Sequence, residues 1–141
     1  MNNILILCIG NICRSPLAEA LLAKKFPYLN IYSAGLSAVV GHPADIKSIK
    51  VAVEHDLDIS LHRARQVNLA MCQLADLILV MERFHRSLLV EKFPFTQGKV
   101  FCISDIDIDD PYGKPQIFFD QVYGEISAGV NSWSLKISKL I

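Results

Sequence analysis

Asn3-Ile4-Leu5-Ile6-Leu7-Cys8-Ile9-Gly10-Asn11-Ile12-Cys13-Arg14-Ser15-Pro16 is the stretch on which the fold turns. From Asn3 to Leu7 it runs apolar without alternation, the pattern of a strand buried on both faces. Cys8-Ile9-Gly10-Asn11 ends that run with turn-forming residues. Ser15-Pro16 then offers a hydroxyl able to cap a helix and a proline suited to its first turn. Leu17, Ala20, Leu21 and Ala23 follow at helical spacing up to Phe26-Pro27. The segment therefore predicts a buried strand, a tight loop and a helix in direct succession.

The same alternation continues outward. Leu29 to Ser33, closed by Ala34-Gly35, reads as a second strand, and Pro43 opens a helix carrying Ile46, Ile49, Ala52 and Val53. Asp76 to Met81 predicts a third buried strand, Glu82 to Lys92 a charged amphipathic helix, and Lys99 to Ile103 a fourth strand. Phe118, Val122, Ile126, Val130, Trp133, Ile137 and Leu140 mark a long C-terminal helix, weakened locally by Gly124 and Gly129. Strands alternating with helices imply right-handed crossovers and a parallel sheet covered on both sides. The expectation is a three-layer α/β sandwich with a central four-stranded parallel sheet and helices on both faces. Ligands of such sheets bind beyond the carboxyl ends of the strands, where Cys8 stands.

At 141 residues the chain has the length of one domain, spanning 1–141, and its 52% apolar and 20% charged composition belongs to a folded protein. Fourteen basic residues balance fourteen acidic ones, so no global field recruits nucleic acid or an anionic membrane. No apolar stretch is long enough to span a bilayer, and no basic residues precede the first apolar run. The expectation is a cytoplasmic monomer that neither inserts into membranes nor binds nucleic acid. Its four cysteines suit reduced thiols better than a disulfide framework, and the spacing of Cys8 and Cys13 does not suit zinc. No metal or cofactor is expected.

The loop from Cys8 through Ile9, Gly10, Asn11, Ile12, Cys13, Arg14 and Ser15 suggests its own chemistry. A strand–loop–helix junction turns several backbone N–H groups and the positive end of a helix dipole into one concavity, a ready site for a phosphate-like anion. Gly10 and Asn11 tolerate the left-handed conformations that such a loop needs. Amides, helix terminus and Arg14 together favour the thiolate of Cys8, the nucleophilic form. Arg14 can meet two phosphoryl oxygens bidentately, as lysine cannot. Phosphoryl transfer needs mainly positioning and charge stabilisation, and no Walker sequence offers an alternative.

A leaving phenolate or alkoxide also needs a proton. The carboxylates of Asp105-Ile106-Asp107-Ile108-Asp109-Asp110-Pro111-Tyr112 follow the fourth strand and so fall at the same sheet edge as Cys8. Asp110 is preferred because Pro111 stiffens the backbone that presents it, although spacing alone does not separate it from Asp109.

These residues resemble the low-molecular-weight protein tyrosine phosphatases, whose signature C-x-G-N-I-C-R-S-P follows a buried strand and is joined by an Asp-Pro-aromatic near the C-terminal end. Further matching segments are Ser33-Ala34-Gly35, Gly41-His42-Pro43-Ala44-Asp45, His62-Arg63-Ala64-Arg65-Gln66 and Asp76 to Glu82. The resemblance implies a nucleophilic Cys8 that becomes a phosphocysteine, an Arg14 that binds phosphoryl oxygens, and a Ser15 that hydrogen-bonds the sulfur. It implies that Asp110 protonates the leaving tyrosine oxygen and then activates the hydrolytic water. Asn11 would hold the loop in shape with Ser33 and His62, while Tyr112, Ile9 and Leu36 would wall the substrate ring. Cys13 would be the redox partner of the nucleophile. Cys72 and Cys102, in apolar surroundings, read as packed thiols, and His42, His55 and His85 as surface residues.

An arsenate reductase on the same scaffold is the nearest rival. It needs a relay of further thiols, and Cys72 and Cys102 lie far apart in the chain. A non-catalytic phosphotyrosine-binding module is the rival of another class, against which nucleophile, arginine and acid are all present. The sequence looks like the bacterial branch of the family, which implies a substrate among the tyrosine autokinases that control capsule or exopolysaccharide production.

Overall fold

A computed structural model describes residues 1–141. Its elements are β1 (Asn3–Cys8), α1 (Arg14–Lys25), β2 (Asn30–Gly35), α2 (Ile46–Glu54), α3 (Leu69–Leu74), β3 (Leu77–Val80), α4 (Arg83–Lys92), a 3-10 turn (Pro94–Gly98), β4 (Val100–Cys102) and α5 (Gln116–Ser138). The four strands form one sheet in the order β2-β1-β3-β4, every pairing parallel. This is the expected α/β sandwich.

Alternation along β1 builds the two apolar layers. Ile4, Ile6 and Cys8 face a core shared with Leu17, Ala18 and Leu22 of α1, Val51 and Ala52 of α2, and Val122, Ile126 and Val130 of α5. Leu5 and Leu7 point the other way, toward Cys72 of α3 and Leu89 of α4. Residues 4–7 are fully buried, each worth about 1.5–3 kcal/mol relative to exposure. The unbroken apolar run follows from burial on both faces. β1 lies between β2 and β3: the chain passes from β1 to β2 on one side and then returns to β3 on the other, so the strand order reverses at β1. The crevice beyond its carboxyl end is the place such folds reserve for a ligand.

Three local features depart from the expectation. α2 begins at Ile46, not at Pro43, because Asp45 caps it by accepting the amide of Lys47 at 2.9 Å. The short α3, capped by Asn68 on the amide of Met71, gave too brief a periodic signal to be read. α1 begins at Arg14 without any side-chain cap, because the Ser15 hydroxyl is engaged elsewhere.

The two glycines of α5 sit in different surroundings. A Cβ on Gly129 would stand 2.7 Å from the carbonyl oxygen of Ile103 and 3.2 Å from its side chain, whereas nothing lies within 4 Å of one on Gly124. Gly129→Ala is expected to lower stability by about 1–3 kcal/mol, because the clash with backbone exceeds the gain in helix propensity. Gly124→Ala is expected to raise it by about 0.5–1 kcal/mol. Urea midpoints that move in opposite directions from the parent would bear this out, and a shared direction would refute it.

Candidate active site

The loop from Cys8 to Arg14 is pinned from outside. Asn11 is buried with φ at 60°, in the left-handed region that few side chains accept. Its side-chain polar atoms and its carbonyl are all used. Oδ1 accepts the amide of Arg65 at 3.0 Å, and the backbone carbonyl accepts Nε2 of His62 at 2.6 Å, which places the imidazole proton on that nitrogen. Nδ2 donates to the hydroxyls of Ser15 at 2.8 Å and Ser33 at 2.9 Å. Ser33 directs its proton to Oε1 of Glu19 at 2.6 Å, and the Ser15 hydroxyl lies 2.9 Å from Sγ of Cys8, to which it donates when the sulfur is a thiolate. The amide of Asn11 thereby orients a donor on the cysteine sulfur. Such a donor stabilises negative charge there.

Arg14 is a fully buried side chain inside this wall. Its Nη1 donates to Oε2 of Glu82 and to the carbonyl of Ile108, both at 2.6 Å. Glu82 follows β3, the neighbour of β1, and Ile108 belongs to the loop after β4, so three strand ends meet at one guanidinium. Nε has no protein partner, and Nη2 stands 3.9 Å from Oδ2 of Asp110. One edge of the guanidinium is thus anchored, and the other keeps two donors for a bidentate anion. His85 is also buried, contrary to the surface position expected of it. The first turn of α4 brings its Nε2 to 3.1 Å from the same Glu82 oxygen, off the angle of a hydrogen bond. Burial and, after it, the nearby Arg14 hold its pKa below the usual 6.5.

An open cavity of about 190 Å³ lies over the loop, lined by Cys8, Ile9, Gly10, Ile12, Cys13, Arg14, Ser37, Val39, Asp110 and Tyr112. Asp110 is on this lining and Asp109 is not, which separates the two acids that spacing left open. The Asp110 carboxylate is exposed, its Oδ1 accepting the amide of Tyr112 at 3.0 Å, with Pro111 buried between them. Tyr112 and Ile9 also line the cavity. Leu36 does not, which corrects its expected place in the wall. Its amide bonds the carbonyl of Cys8, but its side chain packs with the core on the other side of the sheet. Ser37 and Val39 line the cavity where Leu36 was expected, their amides bonding the carbonyls of Ile9 and Gly10.

Cys13 lines the same cavity. Burial first, then Asp45 and Asp110, pushes its thiol far above the ordinary range, so it remains protonated at neutral pH. Neither Cys72, fully buried behind the sheet, nor Cys102 touches the cavity, and a relay from Cys8 through those two thiols has no path here. Glu82 and Glu19 were missed in the sequence. Glu19 lies within α1 and Glu82 just ahead of α4, and a charged residue in either place reads as solvated surface.

Over residues 3–140 the chain matches the family described as low molecular weight phosphotyrosine protein phosphatase. It is 44% identical to the low molecular weight protein-tyrosine-phosphatase Wzb of Escherichia coli K12, over 94% of this chain and 93% of that one. The crystal structure of the Erwinia amylovora tyrosine phosphatase amsI superposes with a TM-score of 0.92 at 41% identity, covering 96% of this chain and 92% of the other. Vibrio vulnificus Wzb in complex with benzylphosphonate superposes with a TM-score of 0.92 at 38% identity, covering 96% and 98%.

Proposed function

The chain belongs to the low molecular weight phosphotyrosine protein phosphatases, and from that premise we propose that it cleaves phosphotyrosine in proteins through a phosphocysteine on Cys8. Convergence of Cys8, Arg14 and Asp110 on one cavity is the observation that carries this reading. The phosphoryl group sits in the loop, its oxygens met by backbone amides and by Nε and Nη2 of Arg14. The sulfur attacks in line as the phenolic oxygen departs. Asp110, protonated, gives its proton to that oxygen and, as the carboxylate, takes one from the water that hydrolyses the intermediate. Ser15, hydrogen-bonded to Sγ, donates to the sulfur when it leaves phosphorus as a thiolate. Ile9, Tyr112 and Val39 flank the aromatic ring. Benzylphosphonate, the ligand named for the Vibrio vulnificus relative, has the aryl and phosphonate parts that such a cavity suits.

Cys13, kept as a thiol by burial, is the reserve that the family resemblance pairs with an oxidised Cys8. The physiological substrate we infer is a bacterial tyrosine autokinase of capsule or exopolysaccharide production. Its support is the resemblance to the bacterial branch and the likeness to Wzb and amsI.

The test is hydrolysis of phenyl phosphate with chelator and reductant present. The parent is expected to turn over, and Asp110→Asn to lose about 10²–10³-fold in kcat/KM, the contribution of a positioned general acid. Phosphate binding, read by thermal shift, should persist in the variant. An Asp110→Asn protein as active as the parent, or turnover abolished by the chelator, would overturn the mechanism.

A further inference from the structure

α4 begins without a cap of its own, because the carboxylate of its N-cap residue Glu82 is committed to Arg14. The cap comes from another part of the chain. Oδ1 of Asp107 accepts the amide of Arg83 at 2.9 Å, and the Arg83 side chain reaches back, Nη2 donating to the carbonyl of Asp105 at 2.8 Å and Nη1 lying 3.6 Å from Asp107. The next residue, Ile108, is fully buried, with its amide on the carbonyl of Met81 at 3.0 Å and its own carbonyl on Arg14. Two residues further on stands Asp110. The segment that delivers the acid is therefore fastened at one point to the helix that follows β3, and at the next to the anion-binding arginine.

We propose that Asp107 is a positioning residue, clamping the acid loop on the first turn of α4 so that Asp110 reaches the leaving oxygen. The inference rests on the reading of Asp110 as general acid. The ion pair between Asp107 and Arg83 is mostly exposed, and such pairs contribute little. The bond from the helix amide to the carboxylate carries the clamp, aided by the positive end of the helix dipole. When the clamp fails, Cys8 keeps its Ser15 partner and Arg14 its Glu82 partner, while Ile108 keeps its amide on the Met81 carbonyl. Loss of the clamp is felt only where the departing oxygen needs a proton.

The leaving group reads out that difference. Phenyl phosphate releases a basic phenolate that depends on the acid, and 2,4-dinitrophenyl phosphate releases one that leaves without it. The expected result for Asp107→Ala is a fall of about tenfold in kcat/KM for phenyl phosphate, the scale of a misplaced catalytic group, and a change within about twofold for the dinitrophenyl ester. Asp107→Asn keeps an oxygen acceptor for the helix amide and should recover most of the loss. Arg83→Ala, an exposed site outside the core, is the second variant in case Asp107→Ala does not fold. It should reduce only the phenyl ester, by about two- to threefold. Equal losses on both esters, or no loss on either, would overturn the clamp. Asp110→Asn run beside them separates the two readings. Selectivity there with none at Asp107 or Arg83 sinks the clamp alone, while no selectivity at Asp110 removes the acid and the clamp with it.

Discussion

Cys8→Ser is expected to abolish turnover of phenyl phosphate, by about 10⁴-fold or more in kcat, while the protein stays folded and still binds inorganic phosphate. The change replaces sulfur with oxygen at the end of β1, where the side chain is 2% exposed and hydrogen-bonds Ser15. Serine fits that space. What it cannot do is supply a thiolate nucleophile, and its hydrogen-bond partner, the Ser15 hydroxyl, is no base. Cys13 does not substitute, because its pKa is driven up by burial and by the carboxylates of Asp45 and Asp110. Steady-state kinetics with a phosphate-dependent thermal shift make the check. Hydrolysis surviving in the folded variant would show that the sulfur is not the nucleophile.

The second large effect is expected at Arg14→Lys, about 10³-fold in kcat/KM with most of the loss in kcat. Formal charge is conserved, and lysine can still approach Glu82. The arginine, however, spends Nη1 on Glu82 and on the Ile108 carbonyl, and keeps Nε and Nη2 for the ligand. One ammonium cannot hold both sides of that arrangement. Loss of planar, preorganised donors is felt most where charge spreads over the equatorial oxygens, which is in the transition state. A variant that keeps kcat within tenfold of the parent would mean that the guanidinium geometry contributes no more than its charge.

Much of this site could be read before the fold was known, because its central loop is local. Cys8, Asn11, Arg14 and Ser15 are neighbours in the chain, and a buried strand entering a helix fixes how they converge. The two central strands, β1 and β3, were equally legible, since continuous apolar runs require burial on two faces. What escaped depends on parts of the chain far apart. Glu82 looked like the polar start of an amphipathic helix. Only the pairing of β3 with β1 brings it to Arg14, 68 positions away. His85 looked exposed for the same reason. Leu36 was misplaced because the face a residue presents just past a strand end is set by sheet register, which resemblance alone does not give. Ser15 fitted its sequence pattern as a cap but serves the sulfur, a case of chemistry taking a residue from local structure.

The close approach of α5 to Ile103, made at Gly129, bears on how the protein is born. Synthesis delivers the thiol loop first, the acid segment some hundred residues later, and last the helix that packs against α1 and braces the turn after β4. Domains settle as their parts emerge from the ribosome, so a nascent chain carries Cys8 long before Asp110 and α5 can close over the same core. In that interval the thiol is open to oxidants without its final packing in place. Cys13, only five positions away, is the one other cavity-lining cysteine already made.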